Sequence, residues 1–158
     1  MYIKAFTNKL QGYGGYQFEV GKTYTTDTSD NWRWFHYANT LTETLKHYKE
    51  AGTRFCEVVP IGRQKHFKSS QFNYWSTDSI YIQRELPAEE IYKIILNESP
   101  KYYLIRHLNL PYEVVKCILP KRLPLEAKYD IIRRKDLSYE QKKMLLPKSY
   151  CKYIGAYC

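Results

Sequence analysis

Leu86-Pro87-Ala88-Glu89 marks the point where this chain changes from short alternating segments to apolar segments with helical spacing. A similar phrase starts three more times downstream, as Leu110-Pro111-Tyr112-Glu113, Leu123-Pro124-Leu125-Glu126 and Leu137-Ser138-Tyr139-Glu140. Each phrase opens a stretch with apolar residues seven and eight positions after its Pro or Ser, which is the spacing of an amphipathic helix. The sequence therefore predicts an array of short, repeat-like helices over residues 86–158.

The residues that open these stretches suit helix N-termini. Proline at the first helical position has a favourable φ and loses no hydrogen bond, and the acid that follows favours the positive helix end. Ser138 and Gln141 have the spacing of a capping box. Residues 101–108 supply a further helix. Because helices this short are unstable alone, we expect them to pack on one another or on the domain that precedes them.

Residues 1–85 predict an α+β domain with a small mixed sheet and one main helix. Asn39 or Thr40 can cap that helix, which we expect to end at Gly52. Residues 62–79 are polar and irregular, as in a long loop or a hairpin. The predicted strands, from their alternation and aromatic content, are Tyr2–Phe6, Tyr16–Val20, Thr23–Thr25, Trp32–Tyr37, Arg54–Val59 and Ile80–Ile82.

Several short motifs follow one another in this domain in a distinctive order. Lys4-Ala5-Phe6 precedes Glu19-Val20-Gly21-Lys22-Thr23-Tyr24, and Phe35-His36 and then Arg84-Glu85-Leu86 come after. In this order the motifs of residues 1–86 resemble a phage- and prophage-encoded domain of unknown function. The resemblance implies a phage-type origin and an α+β fold. It implies no catalytic residue, because that family has no established activity.

Composition and cysteine spacing narrow the class of protein. The chain has 158 residues, of which 44% are hydrophobic and 26% charged, and this is typical of a globular protein. No apolar run approaches the roughly 20 residues of a membrane helix, and the N-terminus lacks the apolar core of a signal peptide. The four cysteines and four histidines are widely spaced, so we predict no metal and no cofactor. The expected location is the cytoplasm of a bacterial host.

Positive charge is concentrated in the second half of the chain. The net charge is +9, and residues 101–152 hold 13 Lys+Arg against 5 Asp+Glu. Such a surface attracts polyanions, and mixed Tyr and Arg also suit a protein interface. The alternative is a solvated lysine-rich surface with tyrosines packed between helices. The candidate binding residues are Lys121, Arg122, Arg133, Arg134, Lys135, Tyr139, Lys142 and Lys143.

An enzymatic role is the alternative for the first domain. Arg33, His36, Tyr37 and Glu57 are residue types that a divergent ADP-ribosyltransferase-like enzyme would use to cleave a nicotinamide–sugar bond. Catalysis would require His36 and Glu57 to converge on one cleft with matched pKa values. The simpler interpretation is that His36 packs within an aromatic strand and Glu57 faces solvent.

These observations favour binding without catalysis. The resemblance to a phage-encoded domain and the small size predict a counter-defence protein, an anti-CRISPR-like inhibitor that binds a host protein or ribonucleoprotein complex. The second hypothesis is direct nucleic-acid binding through the basic helices, with an affinity that falls steeply with salt. The partner, the binding face and the oligomeric state stay open at the level of sequence.

Overall fold

The computed structural model describes residues 1–12, 15–30, 33–47, 54–98, 104–105, 108, 110–119, 124–150 and 154. The strands are β1 (Tyr2–Phe6), β2 (Thr23–Thr25), β3 (Phe35–Tyr37), β4 (Arg54–Pro60), β5 (Gln64–Lys68), β6 (Asn73–Thr77) and β7 (Ser79–Glu85). The helices are α1 (Leu41–His47), α2 (Ala88–Asn97), α3 (Tyr112–Ile118), α4 (Leu125–Arg133) and α5 (Tyr139–Leu145), with a 3-10 helix over Lys148–Tyr150. The chain divides into two compact units, unit 1 (Met1–Ile94) and unit 2 (Ile95–Cys158).

The strands of unit 1 form two antiparallel sheets. One has the order β1-β4-β7-β2 and the other the order β3-β6-β5. The predicted α+β class is confirmed, but these two sheets replace the single mixed sheet of the prediction. The reason is that β5 and β6 form a hairpin between β4 and β7, and short connections of this kind make neighbouring strands antiparallel. Residues 62–79, predicted as a loop or a hairpin, thus contain a hairpin.

One cluster of buried side chains is shared by the two sheets. Cys56 with Val58 on β4, and Ile80 with Ile82 on β7, are two positions apart, as residues on one face of a strand are. The other members are Phe6, Leu10, Phe18, Phe35 and Tyr37. A main-chain bridge reinforces the junction, because the Ile3 N–H donates to the Ala38 carbonyl at 2.7 Å. The core of unit 1 therefore draws side chains from both sheets, which are joined where β1 bridges to the chain just after β3.

Helix α1 begins with the predicted cap. The Thr40 hydroxyl accepts a hydrogen bond from the Glu43 N–H at 3.1 Å, which satisfies one of the free donors of the first turn. The Glu43 carboxylate accepts from Lys46 at 2.6 Å and from the Asn73 N–H at 3.0 Å, so it links α1 to β6. The predicted continuation of the helix through residues 48–52 lies outside the described residues.

The predicted strand Tyr16–Val20 is wrong. The segment is a loop with one isolated bridge between Gln11 and Gln17. The Gln17 side-chain amide donates to the carbonyls of Lys9 and Phe18, each at 3.0 Å, and such local bonds compete with a strand ladder. Leu10 has a φ of 60°, which turns the chain sharply at this point. The loop nevertheless delivers Phe18 to the core.

The helices of unit 2 follow the predicted spacing. The apolar stripe is buried at Val115 and Ile118 on α3, and at Ile131 and Ile132 on α4. Ser138 and Gln141 at the start of α5 form both bonds of the predicted capping box. The prolines differ from expectation by one position, since Pro111 and Pro124 are the N-cap residues of α3 and α4 rather than the first helical residues. Their ψ angles of 149° and 155° are extended, so the helical conformation begins only at the residue that follows each proline.

Part of the predicted helical array falls on residues outside the described set. From the predicted helix at 101–108 the structure describes Leu104, Ile105 and Leu108, all of them buried. From the last eight residues it describes Ile154, which is also buried. Among the helices of the described residues, none combines the length and the apolar character that crossing a membrane requires.

Candidate functional site

Four of the eight candidate binding residues are exposed on neighbouring elements of unit 2. Arg133 ends α4, Lys135 lies in the turn that follows, and Tyr139 and Lys143 lie on α5. Helices α4 and α5 pack against each other. The structure therefore brings these four side chains to adjoining parts of the unit, all open to solvent.

Two exposed tyrosines each precede a cation by one helical turn. Tyr129 and Arg133 are four residues apart on α4, and Tyr139 and Lys143 are four residues apart on α5. Side chains at this spacing lie on the same side of a helix. The Lys143 ammonium is 5.8 Å from the centroid of the Tyr139 ring, and Tyr139 is 45% exposed. We refer to Tyr129, Arg133, Lys135, Tyr139 and Lys143 as the Tyr–cation segment.

Two other candidates do not present a free surface charge. Lys142 is only 2% exposed, because it occupies the inward position four residues after Ser138. The Arg134 guanidinium donates to Asp136 at 2.9 Å through Nε, and also to the Leu110 carbonyl. These bonds hold the turn after α4 and keep the pKa of Asp136 below its usual range. The expectation that both residues contribute exposed charge is thus corrected by their burial and bonding.

The remaining two candidates, Lys121 and Arg122, lie outside the described residues. They stand between α3 and α4 in the sequence. Their part in a binding surface stays a prediction.

The residues of the enzymatic alternative are not assembled into one cleft. His36, Arg33 and Tyr37 line a pocket in unit 1, whereas Glu57 is not among its lining residues in the described part of the chain. Glu57 alternates with Cys56 and Val58, which face the core, so its side chain is directed away from that core. His36 and Glu57, the two residues that the hypothesis requires together, are thus not both among the lining residues of this pocket in the described part of the chain.

Glu57 has a structural partner instead. Its carboxylate accepts a hydrogen bond from Nε of Arg84 at 2.8 Å. The two terminal nitrogens of Arg84 donate to the Glu90 carboxylate, each at 2.7 Å. A guanidinium that bridges two carboxylates in this forked geometry links β4, β7 and the first turn of α2. This arrangement gives Glu57 a structural role in joining the two strands to the helix.

The structure shows one site that the sequence did not indicate, a pocket of about 540 Å³ in unit 1. Its walls come from β1, β3, the loop after β1, the start of α1 and β6. The lining residues are Lys4, Ala5, Gly12, Tyr16, Phe18, Arg33, Trp34, Phe35, His36, Tyr37, Ala38, Thr44 and Tyr74. Seven of these thirteen carry aromatic rings, if the His36 imidazole is counted. Pockets for small molecules have this character, a mainly apolar wall with a few polar groups.

Lys4 is the charged group buried in this wall. It is 8% exposed, and its ammonium donates to the His36 carbonyl at 3.0 Å. The same nitrogen lies 5.5 Å from the Phe6 ring centroid and 5.7 Å from that of Phe18, within cation–π range. Burial lowers the pKa of Lys4 to about 8. On the paired position of β4, burial raises the pKa of the Cys56 thiol to about 12, so that thiol stays protonated at neutral pH.

The sequence contained a signal for Lys4 that our strand prediction did not use. In the alternating segment Tyr2-Ile3-Lys4-Ala5-Phe6, Lys4 shares a strand face with Tyr2 and Phe6. A lysine between two aromatic residues of one face is unusual on a buried strand. The pocket itself was not predictable in this way, because its walls come from segments distant in sequence.

Metal ligands do not cluster in the residues that the structure describes, where no group of three His, Cys, Asp or Glu side chains is placed to hold an ion. Of the cysteines described there, Cys56 is buried and Cys117 is exposed, and both are free thiols. Cys151 and Cys158 lie outside the described residues.

Comparison with known proteins finds a family match for unit 1. No curated protein and no solved structure matches this chain. A family model described as a domain of unknown function, DUF7666, matches residues 1–94. This range has the same bounds as unit 1, so the sequence family and the compact structural unit coincide. With its whole first unit matched, this chain belongs to the DUF7666 family.

Proposed function

We propose that this chain is a non-enzymatic binding protein that attaches to a host nucleic-acid-handling complex through the Tyr–cation segment of unit 2. The observation that carries the proposal is the pair of exposed Tyr–cation units, Tyr129 with Arg133 and Tyr139 with Lys143, on two packed helices. Tyrosine and arginine are the residues that most often dominate binding energy at protein interfaces.

The charges of this segment are available to a partner. Lys143 has an acidic neighbour, Glu140, at 3.7 Å, but their side chains are 51% and 71% exposed. An ion pair so open to solvent contributes little and exchanges readily for another partner. Arg133 and Lys135 are exposed as well. A complex with an acidic or phosphate-rich surface is therefore attracted to this region.

A counter-defence role is the setting that we propose for this binding. It rests on the resemblance of residues 1–86 to a phage-encoded domain. A bound protein inhibits a larger machine most simply by occupying the surface that handles nucleic acid. An anti-CRISPR-like inhibitor of a host protein or ribonucleoprotein complex acts in this way.

Direct nucleic-acid binding is the second candidate, and the same Tyr–cation units favour it. Exposed rings stack on unpaired bases, and neighbouring cations contact the phosphates. The two candidates differ in the effect of salt and of nuclease. Binding to phosphates weakens steeply as salt rises, whereas capture of a protein surface that buries tyrosines depends on salt far less.

The test is an affinity pull-down with the full chain from a bacterial lysate, with and without nuclease. The double variant Arg133→Glu/Lys143→Glu is compared with Lys9→Glu/Lys68→Glu, which makes the same change in net charge at exposed positions of unit 1. The proposal expects one protein complex to persist after nuclease treatment and to be lost only with the unit 2 variant.

Two results count against the proposal. Equal loss with both double variants shows that net charge alone is responsible. Captured material that disappears on nuclease treatment and at moderate salt favours direct nucleic-acid binding instead. If a protein complex persists, inhibition is measured by adding wild type or the unit 2 variant to the nucleic-acid-processing reaction of that complex.

A further inference from the structure

The pocket in unit 1 holds the Lys4 ammonium, which pairs with no carboxylate among the described residues. A lysine ammonium has three N–H donors, and Lys4 uses one of them on the His36 carbonyl. In the part of the chain that the structure describes, no carboxylate pairs with Lys4. Lysines with so little exposure are almost always paired, because an unpaired buried charge is unfavourable. Among the described residues, Lys4 therefore lacks the anion that would compensate its buried charge.

The other walls suit a flat ring. Aromatic side chains line the pocket, and their rings contact one another in edge and tilted arrangements. The distances between ring centroids are 4.9 Å for Tyr16 and Phe18, 5.8 Å for Phe18 and Phe35, and 6.2 Å for Tyr16 and Phe35. Such clusters receive a further ring readily. The volume of about 540 Å³ falls within the range of small-molecule sites, roughly 300–1,000 Å³.

We propose that this pocket binds a small molecule that combines a flat aromatic ring with one anionic group. The ring packs between the aromatic walls, and the anion pairs with the Lys4 ammonium. This inference goes beyond the proposed function and does not rest on it, because the Tyr–cation segment belongs to unit 2 and the pocket to unit 1.

The charge distribution favours an anion over a neutral ligand. Arg33 is a second positive group among the lining residues; its Nε lies 3.9 Å from the Asp30 carboxylate, and both side chains are open to solvent. No Asp or Glu is itself among the lining residues in the described part of the chain. An ion pair formed in such surroundings is much stronger than one in water. The anion also removes the unfavourable burial of an unpaired ammonium. Carboxylates and phosphates both meet this requirement.

The test uses two pairs of probes that differ only in the anion. AMP is paired with adenosine, and 2-naphthoate with 2-naphthamide, while inorganic phosphate alone controls for an anion without a ring. Binding to the full chain at pH 7 is measured by calorimetry and by fluorescence, which Trp34 in the pocket wall reports. We expect the anionic member of at least one pair to bind at least tenfold tighter than its neutral partner. A preference for AMP over adenosine identifies the anion as a phosphate, and a preference for 2-naphthoate over 2-naphthamide identifies it as a carboxylate.

Variants connect this preference to the pocket. Lys4→Met and Lys4→Gln should each abolish the tenfold advantage and leave the affinity for the neutral partner unchanged. Lys4→Gln keeps a donor for the His36 carbonyl, so it separates loss of the charge from loss of that hydrogen bond. Tyr16→Ala should weaken both members of a pair by the same factor, because it removes only ring contact. Lys9→Met, an exposed lysine outside the lining, is the matched control.

Three outcomes overturn the inference. They are equal affinity for the charged and neutral members of both pairs, a preference that survives in folded Lys4 variants, and no binding of any probe at millimolar concentration. Folding of each variant is checked by the tryptophan emission of unit 1, since all three tryptophans of the chain lie within residues 1–94.

Discussion

The ammonium of Lys4 donates a hydrogen bond to the backbone carbonyl of His36, 3.0 Å away in space and 32 residues later in sequence. This bond joins β1 of the four-stranded sheet to β3 of the three-stranded sheet, beside the main-chain bridge between Ile3 and Ala38. The junction of the two sheets is thus held partly by a buried charge. Since burying that charge is unfavourable, the same residue that joins the sheets also limits their stability.

The first prediction concerns Lys4→Met at neutral pH. Burial lowers the pKa of Lys4 from 10.5 to about 8, which corresponds to roughly 3 kcal/mol against the folded state when the amine is charged. The variant also loses the hydrogen bond to the His36 carbonyl, which destabilises it by about 1 kcal/mol. We therefore expect the variant to be more stable than wild type by about 2 kcal/mol at pH 7. Urea unfolding followed by tryptophan fluorescence measures the difference.

The difference should shrink as the pH rises. Because the pKa of Lys4 is lower in the folded state, the unfolded chain binds more protons than the folded chain between pH 8 and 10.5. The free energy of unfolding of wild type therefore rises with pH across this window. The variant lacks this gain. Among the described residues, the titratable or charged groups that line the pocket with Lys4 or pair with it across the strands are the same in both proteins; they are Tyr16, Arg33, His36, Tyr37, Tyr74 and Cys56. A difference that stays constant from pH 7 to 10 would contradict the assignment.

The second prediction concerns the cap of α1. Thr40→Ala removes the acceptor of the Glu43 N–H and should lower the free energy of unfolding of unit 1 by about 1 kcal/mol. Thr40→Ser keeps the hydroxyl and should lose only a few tenths of this. Urea unfolding with tryptophan fluorescence compares the two variants. If serine destabilised as much as alanine, the methyl group of Thr40 rather than its hydroxyl would be the stabilising element.

Much of the fold was predictable because local chemistry determined it. Alternation identified β1, and the Ser138–Gln141 spacing identified the start of α5, since neither feature depends on distant contacts. The loop at residues 16–20 was not predictable from alternation. There the Gln17 side chain bonds to nearby carbonyls and Phe18 reaches the core. The chain also turns at Leu10 through a positive φ, which a residue other than glycine rarely adopts.

The candidate site was less predictable, for a physical reason. Helical spacing places Lys142 on the buried side of α5 together with Leu145. We predicted Lys142 as an exposed binding residue from its charge alone, and the charge does not reach the surface. The pocket joins Lys4, Phe18, Trp34 and Tyr74, which come from four separate segments. Only tertiary packing brings them together, and a single sequence carries no direct record of that packing.

The third prediction tests the capping box of α5. Ser138 Oγ accepts from the Gln141 N–H at 3.2 Å, and the Gln141 side chain accepts from the Ser138 N–H at 2.9 Å. Ser138→Ala should destabilise α5 by about 1 kcal/mol. Because unit 2 contains no tryptophan, hydrogen exchange of the α5 amides is the suitable measurement. Glu140→Gln, an exposed change in the same turn, should leave their protection within about 0.5 kcal/mol of wild type.

The fourth prediction contrasts two adjacent lysines on α5. Lys142 is buried, whereas the side chain of Lys143 is 51% exposed. Lys142→Glu places a carboxylate in the interior of unit 2, close enough to interact with the Asp136 carboxylate, and should destabilise the unit by about 3 kcal/mol or more. Lys143→Glu should change stability by less than about 1 kcal/mol, since it alters a solvated pair. Hydrogen exchange and far-ultraviolet circular dichroism compare the two variants.

This contrast also decides how binding data are interpreted. A reversal at Lys142 that abolished partner capture would reflect loss of folding, whereas a reversal at Lys143 that did so in a folded protein would report on the surface. Lys142→Met offers the matched control, because methionine keeps an unbranched apolar side chain of similar length in the interior and introduces no carboxylate. If Lys142→Glu proved as stable as wild type, the lysine would have to reach solvent, and it would return to the set of binding residues.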